Sequence, residues 1–491
     1  MTENKLMVNA NTKEYIQEYL FIENGEINIG QAQKVLSVSA RAVLMSVETM
    51  QNEFRANICT TFKVIYLSED GICSMEDKVE SNRSIINDNI NDDTAAILNV
   101  KVVDCEQTGT NVLNLRATVA VNGWYENKKC LELLTKDQDE VYVRTQKFDV
   151  ESVEILPATT SIFTFNNEAR VPIDKIIDTC VKVCVNNTFS SERSCRIEGE
   201  VSLDLAFVSD NGLLMCQTFS NMFSTEIMSD SIDNNTNLAI EAYIESNKIN
   251  LSDGDNRAIC SETIVRFCPS YMENRDIEGV VDAYSTEKDV KLLYQEIVLD
   301  KEFCLNSSRD KISSNVKIVS GLSNVECIIN AHLEGSSIIH NNDGLYAEGL
   351  LIGDVIYCDE DGDYMSLKAE IPYSSLVAKS FECDDDIKLK DLLLSTFARV
   401  RTANEIEISA EMKFEITGKQ TKTLKLVGNI EIGECKEVDN IAISLYIVKP
   451  GQSLWEVAKD LNTTSEVLID QNPEMVMPLK AGSKILLYKK L

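Results

Sequence analysis

The chain has 491 residues, too many for one ordinary hydrophobic core, and its 44% apolar content fits packed domains rather than a disordered polymer. Its 79 acidic residues outweigh 47 Lys and Arg, and the resulting net charge of −32 argues against a surface for nucleic acid or anionic lipid. Three or four domains are expected, joined by few long linkers, because only seven prolines occur.

The opening stretch, "MTENKLMVNANTKEYIQEYLFI", has no basic segment followed by an apolar run, so no secretory signal is expected. No run reaches the roughly 18 apolar residues that cross a bilayer. The protein is therefore expected to act in the compartment where it is made. Fifteen cysteines occur without a CxxC pair. Cys180 and Cys184 flank Val181 and Val183 and read as small apolar strand residues, so reduced and mostly buried thiols are expected rather than a disulfide framework.

One segment then recurs three times. "VIYLSEDG" spans residues 64–71, "LAFVSDNG" 205–212 and "VIYCDEDG" 355–362. Each reads as a strand ending in a tight hairpin turn of type I′, since Asp-Gly and Asn-Gly tolerate positive φ. Alternation leads into the turns. Ile58, Thr60, Phe62, Val64 and Tyr66 share one face in the first copy, as do Val201, Leu203, Leu205 and Phe207 in the second.

A second strand follows each turn. It is clearest in the third copy, where Ile406, Ile408, Ala410, Met412, Phe414 and Ile416 alternate with polar residues. Leu113, Leu115, Ala117, Val119 and Val121 repeat this in the first copy, and "ICSETIVRF" (259–267) sits at the matching place in the second. The segments before each turn, such as "GQAQKVLSVSARAVLMSV", read as further strands with a short helical entry. Glu198-Gly199 and Glu348-Gly349 recur at one offset. The expected fold is mainly β: three tandem, sandwich-like antiparallel domains (1–150, 151–295 and 296–441), followed by a small βααβ domain over 444–491.

That last segment holds six lysines against five acids, so the acid excess lies in the body. "LYIVK" (445–449) reads as a strand. Ser453 to Glu456 forms a capping box for a helix whose apolar face is Leu454, Val457, Ala458 and Leu461. Asn462 is a helix end. Thr463 to Glu466 repeats the box, Asn472-Pro473 stops the second helix, and "SKILLY" (483–488) closes with a strand. Trp455 reads as core.

Chemistry is harder to find. The only histidines, His332 and His340, lie eight apart without HExxH or matching Cys spacing, which indicates neither zinc nor a nucleophile–His pair. Asp359, Asp361, Asp363 and Glu370 match positions 1, 3, 5 and 12 of a calcium loop, but Tyr364 stands where the loop glycine belongs, so a hairpin turn is the better reading. No phosphate-binding glycine loop occurs, and no carboxylate pair is singled out. No catalytic residue, metal or cofactor is expected.

The last 48 residues closely resemble the LysM domain, through "Y-x-V-K-x-G-x-S-L-W-x-V-A", "L-N-T-T", "N-P" and "A-G-S-K-I-L". The repeated strand–acidic turn–strand units ahead of it resemble the SPOCS domains. The whole arrangement resembles the SipL-like spore-coat morphogenesis family of endospore-forming clostridia. The LysM resemblance implies a groove between two loops, here Lys449, Pro450, Gly451, Gln452 and Ser453 on one side and Asn472, Pro473, Glu474, Met475, Val476 and Met477 on the other. Its usual occupant is peptidoglycan or chitin.

Met475, Val476 and Met477 suit adaptable protein contacts, or cap the helices. With no export signal, a protein occupant is expected. The family resemblance implies the stage IV coat morphogenetic ATPase, bound in the mother-cell cytoplasm at the forespore surface, and a non-enzymatic scaffold that also meets other coat proteins. The alternative is a peptidoglycan-binding LysM protein at the cortex or wall.

Overall fold

The computed structural model describes residues 5–30, 32–135, 141–252, 255–319, 321–379, 387–436 and 443–488. Alternating apolar positions make the body almost entirely antiparallel β, because strands of this period bury one face and leave the other to water. The first unit contains β2 (Thr12–Asn28), β3 (Lys34–Met50), β4 (Glu53–Ser68), β5 (Gly71–Ile86), β6 (Ala96–Thr108) and β7 (Val112–Asn127). Two sheets, β2-β7-β6 and β3-β4-β5, pack over Ile58, Phe62, Val64, Leu115, Val119 and their neighbours.

The second unit repeats this order with β10 (Thr159–Glu168), β11 (Ile173–Ser191), β12 (Ser194–Ser209), β13 (Leu214–Met228), β14 (Leu238–Ser252) and β15 (Asp255–Tyr284). The third does so with β16 (Lys288–Lys317), β17 (Leu322–Asn341), β18 (Gly344–Asp359), β19 (Tyr364–Ala378), β20 (Ile387–Thr402) and β21 (Glu405–Cys435). Their sheets are β10-β15-β14 with β11-β12-β13, and β16-β21-β20 with β17-β18-β19. The three copies share irregularities too. A bulge interrupts the first strand of each repeat sheet opposite the motif, between Val35 and Ser37, Ile176 and Asp178, and Val325 and Cys327. Such bulges bend a strand and re-aim its side chains.

The alternating residues lie where their period requires. Ile406, Ile408, Ala410, Met412, Phe414 and Ile416 are all buried, and so are Leu113, Leu115, Ala117, Val119 and Val121. The helical entries expected before each turn are strand instead, in β3, β11 and the end of β16. The hairpins also differ from type I′. Positive φ falls on Gly71 (90°), Gly212 (79°) and Gly362 (88°), whereas the acidic or Asn residues before them stay out of the left-handed region. One glycine per turn therefore carries the conformation, as in a bulged hairpin.

At Asp359 the carboxylate accepts the backbone N–H groups of Asp361 (3.1 Å) and Asp363 (2.9 Å), so this side chain closes the turn. A Cβ on Gly212 meets no atom within 4 Å, so only backbone strain opposes a side chain there. Gly212→Ala is expected to cost about 1 kcal/mol, read from the midpoint of urea unfolding.

The units are not beads. β5 of the first touches β11 of the second, β13 touches β17 of the third, and β19 returns to β3. The same kind of contact thus repeats head to tail and closes into a ring. At its centre Leu36, Ile65, Ile72, Ile177, Ala206, Val208, Leu214, Cys327, Ile329 and Ile356 form one core drawn from all three units. Ile65, Ala206 and Ile356 hold the second position of the repeated motif.

Polar contacts accompany the ring. Ser37 donates to Asp354 (2.6 Å), Asn330 donates to Asp354 (3.0 Å), and Arg41 and Lys63 pair with Asp178 at 2.7 and 3.1 Å.

Each unit also sends out a two-stranded ribbon. β1 (Lys5–Asn9) pairs with β8 (Cys130–Leu134). β9 (Tyr142–Ile155) pairs with the second half of β15, and the first half of β16 pairs with the second half of β21. These ribbons converge on Val8, Leu131, Phe148, Val150, Ile277, Ile297, Leu424 and Leu426. Positions 150 and 296 fall inside β9 and β16, and position 441 lies outside the described residues.

The thiols are less buried than expected. Cys184, Cys195 and Cys327 are buried, whereas Cys130, Cys216, Cys304 and Cys435 are exposed, and Cys383 lies outside the described residues. Among the described residues no helix is long and apolar enough to cross a membrane.

Candidate functional site

The C-terminal module contains β22 (Ile443–Ile447), α1 (Leu454–Asp460), α2 (Ser465–Gln471) and β23 (Lys484–Tyr488), with β22 antiparallel to β23. Ser453 caps α1: its hydroxyl accepts from the backbone of Glu456, whose carboxylate accepts the Ser453 N–H at 2.7 Å. That backbone hydrogen bond, with the Ser453 hydroxyl, holds the Glu456 carboxyl below its ordinary value. Asn462, at φ 53°, turns the chain after α1. The cap of α2 sits one residue later than the sequence indicates. Thr464, not Thr463, accepts from Val467, and Glu466 merely lies in the first turn. Leu454, Val457, Ala458, Leu468, Ile485 and Leu487 form the small core.

The module rests on the end of the β9–β15 ribbon. Tyr284 joins the module's core, and its hydroxyl donates to the Thr463 carbonyl at 2.9 Å. Trp455 is half-buried and packs against this core, as expected, and it also reaches the body. Its ring meets Tyr284 edge-on with centroids 4.8 Å apart, and its Nε1 donates to Asp282 at 2.8 Å. Lys459 donates to the other Asp282 oxygen at 2.7 Å. Lys436 adds bonds to the Asn462 side chain (2.6 Å) and the Ser285 carbonyl (2.7 Å). Burial works against the charge on Asp282, but the hydrogen bonds from Lys459 and Trp455 outweigh it and hold the carboxyl below its ordinary value. This seat orients the module on the body.

Within the groove implied by the LysM resemblance, several residues serve the fold. Gln452 bonds Tyr446 and Asp460, and it accepts the Lys449 N–H. Ser453 is spent on the cap. The Asn472 amide donates to the Leu468 and Leu486 carbonyls and accepts the Leu486 N–H, tying α2 to β23. Met475 packs on the core. Lys449, Pro450, Gly451, Pro473, Glu474, Val476 and Met477 are exposed, and Val476 and Met477 form its apolar part.

Sequence reasoning passed over a larger apolar surface. On the outer face of the two-stranded sheet, Ile443, Leu445, Ile447 and Tyr488 are 60%, 56%, 59% and 50% exposed. Ile443 stands opposite Tyr488, and Leu445 opposite Leu486. The sequence signal pointed the opposite way. The pattern I-S-L-Y-I suggests aliphatic residues turned inward, yet Ser444 and Tyr446 are the more buried ones. Tyr446 turns in because its hydroxyl donates to Asp460 at 2.6 Å.

The body offers other features. His332 and His340 are both exposed on β17, and His332 Nδ1 lies 2.8 Å from the Asn330 carbonyl. A cleft of about 300 Å³ between the second and third units is lined by balanced charges, Lys182 and Arg309 against Glu200 and Glu411. Comparison with protein-family models, curated proteins and solved structures gives no match to this chain.

Proposed function

We propose that the chain is a non-enzymatic scaffold and adaptor of endospore formation. Three SPOCS-like units form the ring, and a LysM-type module docks the polymerising stage IV coat ATPase. Its site of action in this reading is the mother-cell cytoplasm at the forespore surface, within the basal coat, where the body also meets other coat proteins.

The exposed strip Ile443, Leu445, Ile447 and Tyr488 carries the reading. A small module with a contiguous apolar sheet face turned to water has the surface of a protein-docking site. Three of these four side chains are aliphatic and offer a sugar neither hydrogen bonds nor a ring face. Because the module is seated on the body, many copies bound along a polymer would gain avidity from modest single contacts.

The test is a sedimentation pair with the full-length chain, one arm with the purified polymerised ATPase and one with peptidoglycan sacculi. Leu445→Glu should weaken filament binding at least about tenfold, as expected when a central apolar contact is lost. Retention by sacculi without filament binding would favour the peptidoglycan alternative and overturn the proposal.

A further inference from the structure

The three ring junctions use equivalent registers with different chemistry. Opposite the motif's second position, the following strand carries Ser74, Cys216 or Ser366. The preceding strand carries Ser37, Asp178 or Cys327 at the same level. The head-to-tail contacts bring the following strand of one unit against the preceding strand of the next. Ser74 therefore falls at the level of Asp178, Cys216 at that of Cys327, and Ser366 at that of Ser37. Only one of these three pairings has sulfur on both sides.

Two observations place the two thiols together. β13 and β17 touch. Cys327 packs in the central core with Ala206, the direct cross-strand partner of Cys216. Near them, the Leu214 N–H donates to the Tyr364 hydroxyl at 3.3 Å across the same junction. Cys216 is exposed and Cys327 is buried, so one thiol is open to reagents and the other waits behind it.

We propose that Cys216 and Cys327 are a modification site: an oxidisable pair that closes to a disulfide and locks the second unit to the third. The co-reactant is a low-molecular-weight disulfide. The Cys216 thiolate attacks one of its sulfurs, forming a mixed disulfide and releasing one small thiol. Cys327 then loses its proton and attacks the Cys216 sulfur, and the second small thiol leaves. Two protein thiols are oxidised to one disulfide, and one external disulfide is reduced to two thiols. The neighbouring Cys216 side chain and burial hold the Cys327 thiol well above its ordinary value, and Cys216 is the exposed thiol of the two, so Cys216 reacts first. The bond closes a long loop across the junction and would tighten the ring.

The test treats the native full-length chain with oxidised glutathione, then maps peptides without reduction and follows thermal unfolding. The expected result is a peptide linked through Cys216 and Cys327, with a rise in Tm of about 5 °C. Cys216→Ser, an exposed and mild change, should abolish both the link and the rise, and Cys327→Ser should leave Cys216 carrying a stable glutathione adduct. Glutathione adducts on Cys216 in the unmutated chain without the internal link, or an unchanged Tm in the linked protein, would overturn the proposal.

Discussion

Ile356→Asp is expected to destabilise the entire body, not only the third unit, by more than about 4 kcal/mol. Ile356 is fully buried at the centre of the core that all three units share. A carboxylate there would lose its water and find only the side chains of Ile65, Ala206, Cys327 and their neighbours. In a string of independent beads the same residue would lie on the surface and the change would be mild. Calorimetry separates the two cases. The ring predicts that a single cooperative transition drops or splits into unit-sized steps, whereas an unchanged transition would mean that the junction does not couple the units. Ile356→Val at the same position should cost only about 1 kcal/mol, since it removes one methylene.

Asp282→Ala is expected to release the C-terminal module from its seat at a cost of about 2 kcal/mol. Asp282 is 9% exposed and accepts from Trp455, Lys459 and the Ala283 backbone. Removing it strands the indole N–H and leaves Lys459 without its partner. The loss falls in the lower part of the range for buried pairs because the Lys459 side chain is 40% exposed and water screens it.

Hydrogen exchange in α1 should quicken several-fold while exchange in β12 and β18 stays unchanged. Trp455→Phe should cost less alone and add little in the double variant, because both act through one carboxylate. The pH dependence has a definite sign. The folded carboxyl of Asp282 lies below its ordinary value of 3.8, so the contribution is complete above that value and is lost as pH falls through the depressed folded value. Docking should therefore hold through the mildly acidic range and fail only in stronger acid.

The parts that were legible in the sequence are those set by local chemistry. Period-2 alternation fixes the inward faces from Leu113 to Val121 and from Ile406 to Ile416, because a strand has only two faces to offer. Capping by Ser453 and the turn at Asn462 follow from the same kind of short-range rule.

What was not legible depends on partners distant in sequence. Nothing in the alternation of residues 255–284 tells where β15 leaves β10 and β14 and takes β9 instead. The ring closes through Ile65, Ala206 and Ile356, which look like ordinary strand residues until three copies meet. Trp455 packs on the module core as its apolar ring suggests, but the acceptor of its indole N–H could not be read, because Asp282 lies 173 positions away. The outer face of β22 was hidden because a hydroxyl on Tyr446, held by Asp460, reverses the facing that hydrophobicity alone suggests.

The most direct measurement is the affinity of the full-length chain for the polymerised stage IV ATPase, compared among the unmutated protein, Leu445→Glu and Val476→Asp. Tight binding by the unmutated chain, at least a tenfold loss for Leu445→Glu and a smaller loss for Val476→Asp is the predicted result, with the two variants unfolding as the unmutated protein does. Equal affinity for all three, or no binding by the unmutated chain, would contradict docking through the outer face of the module.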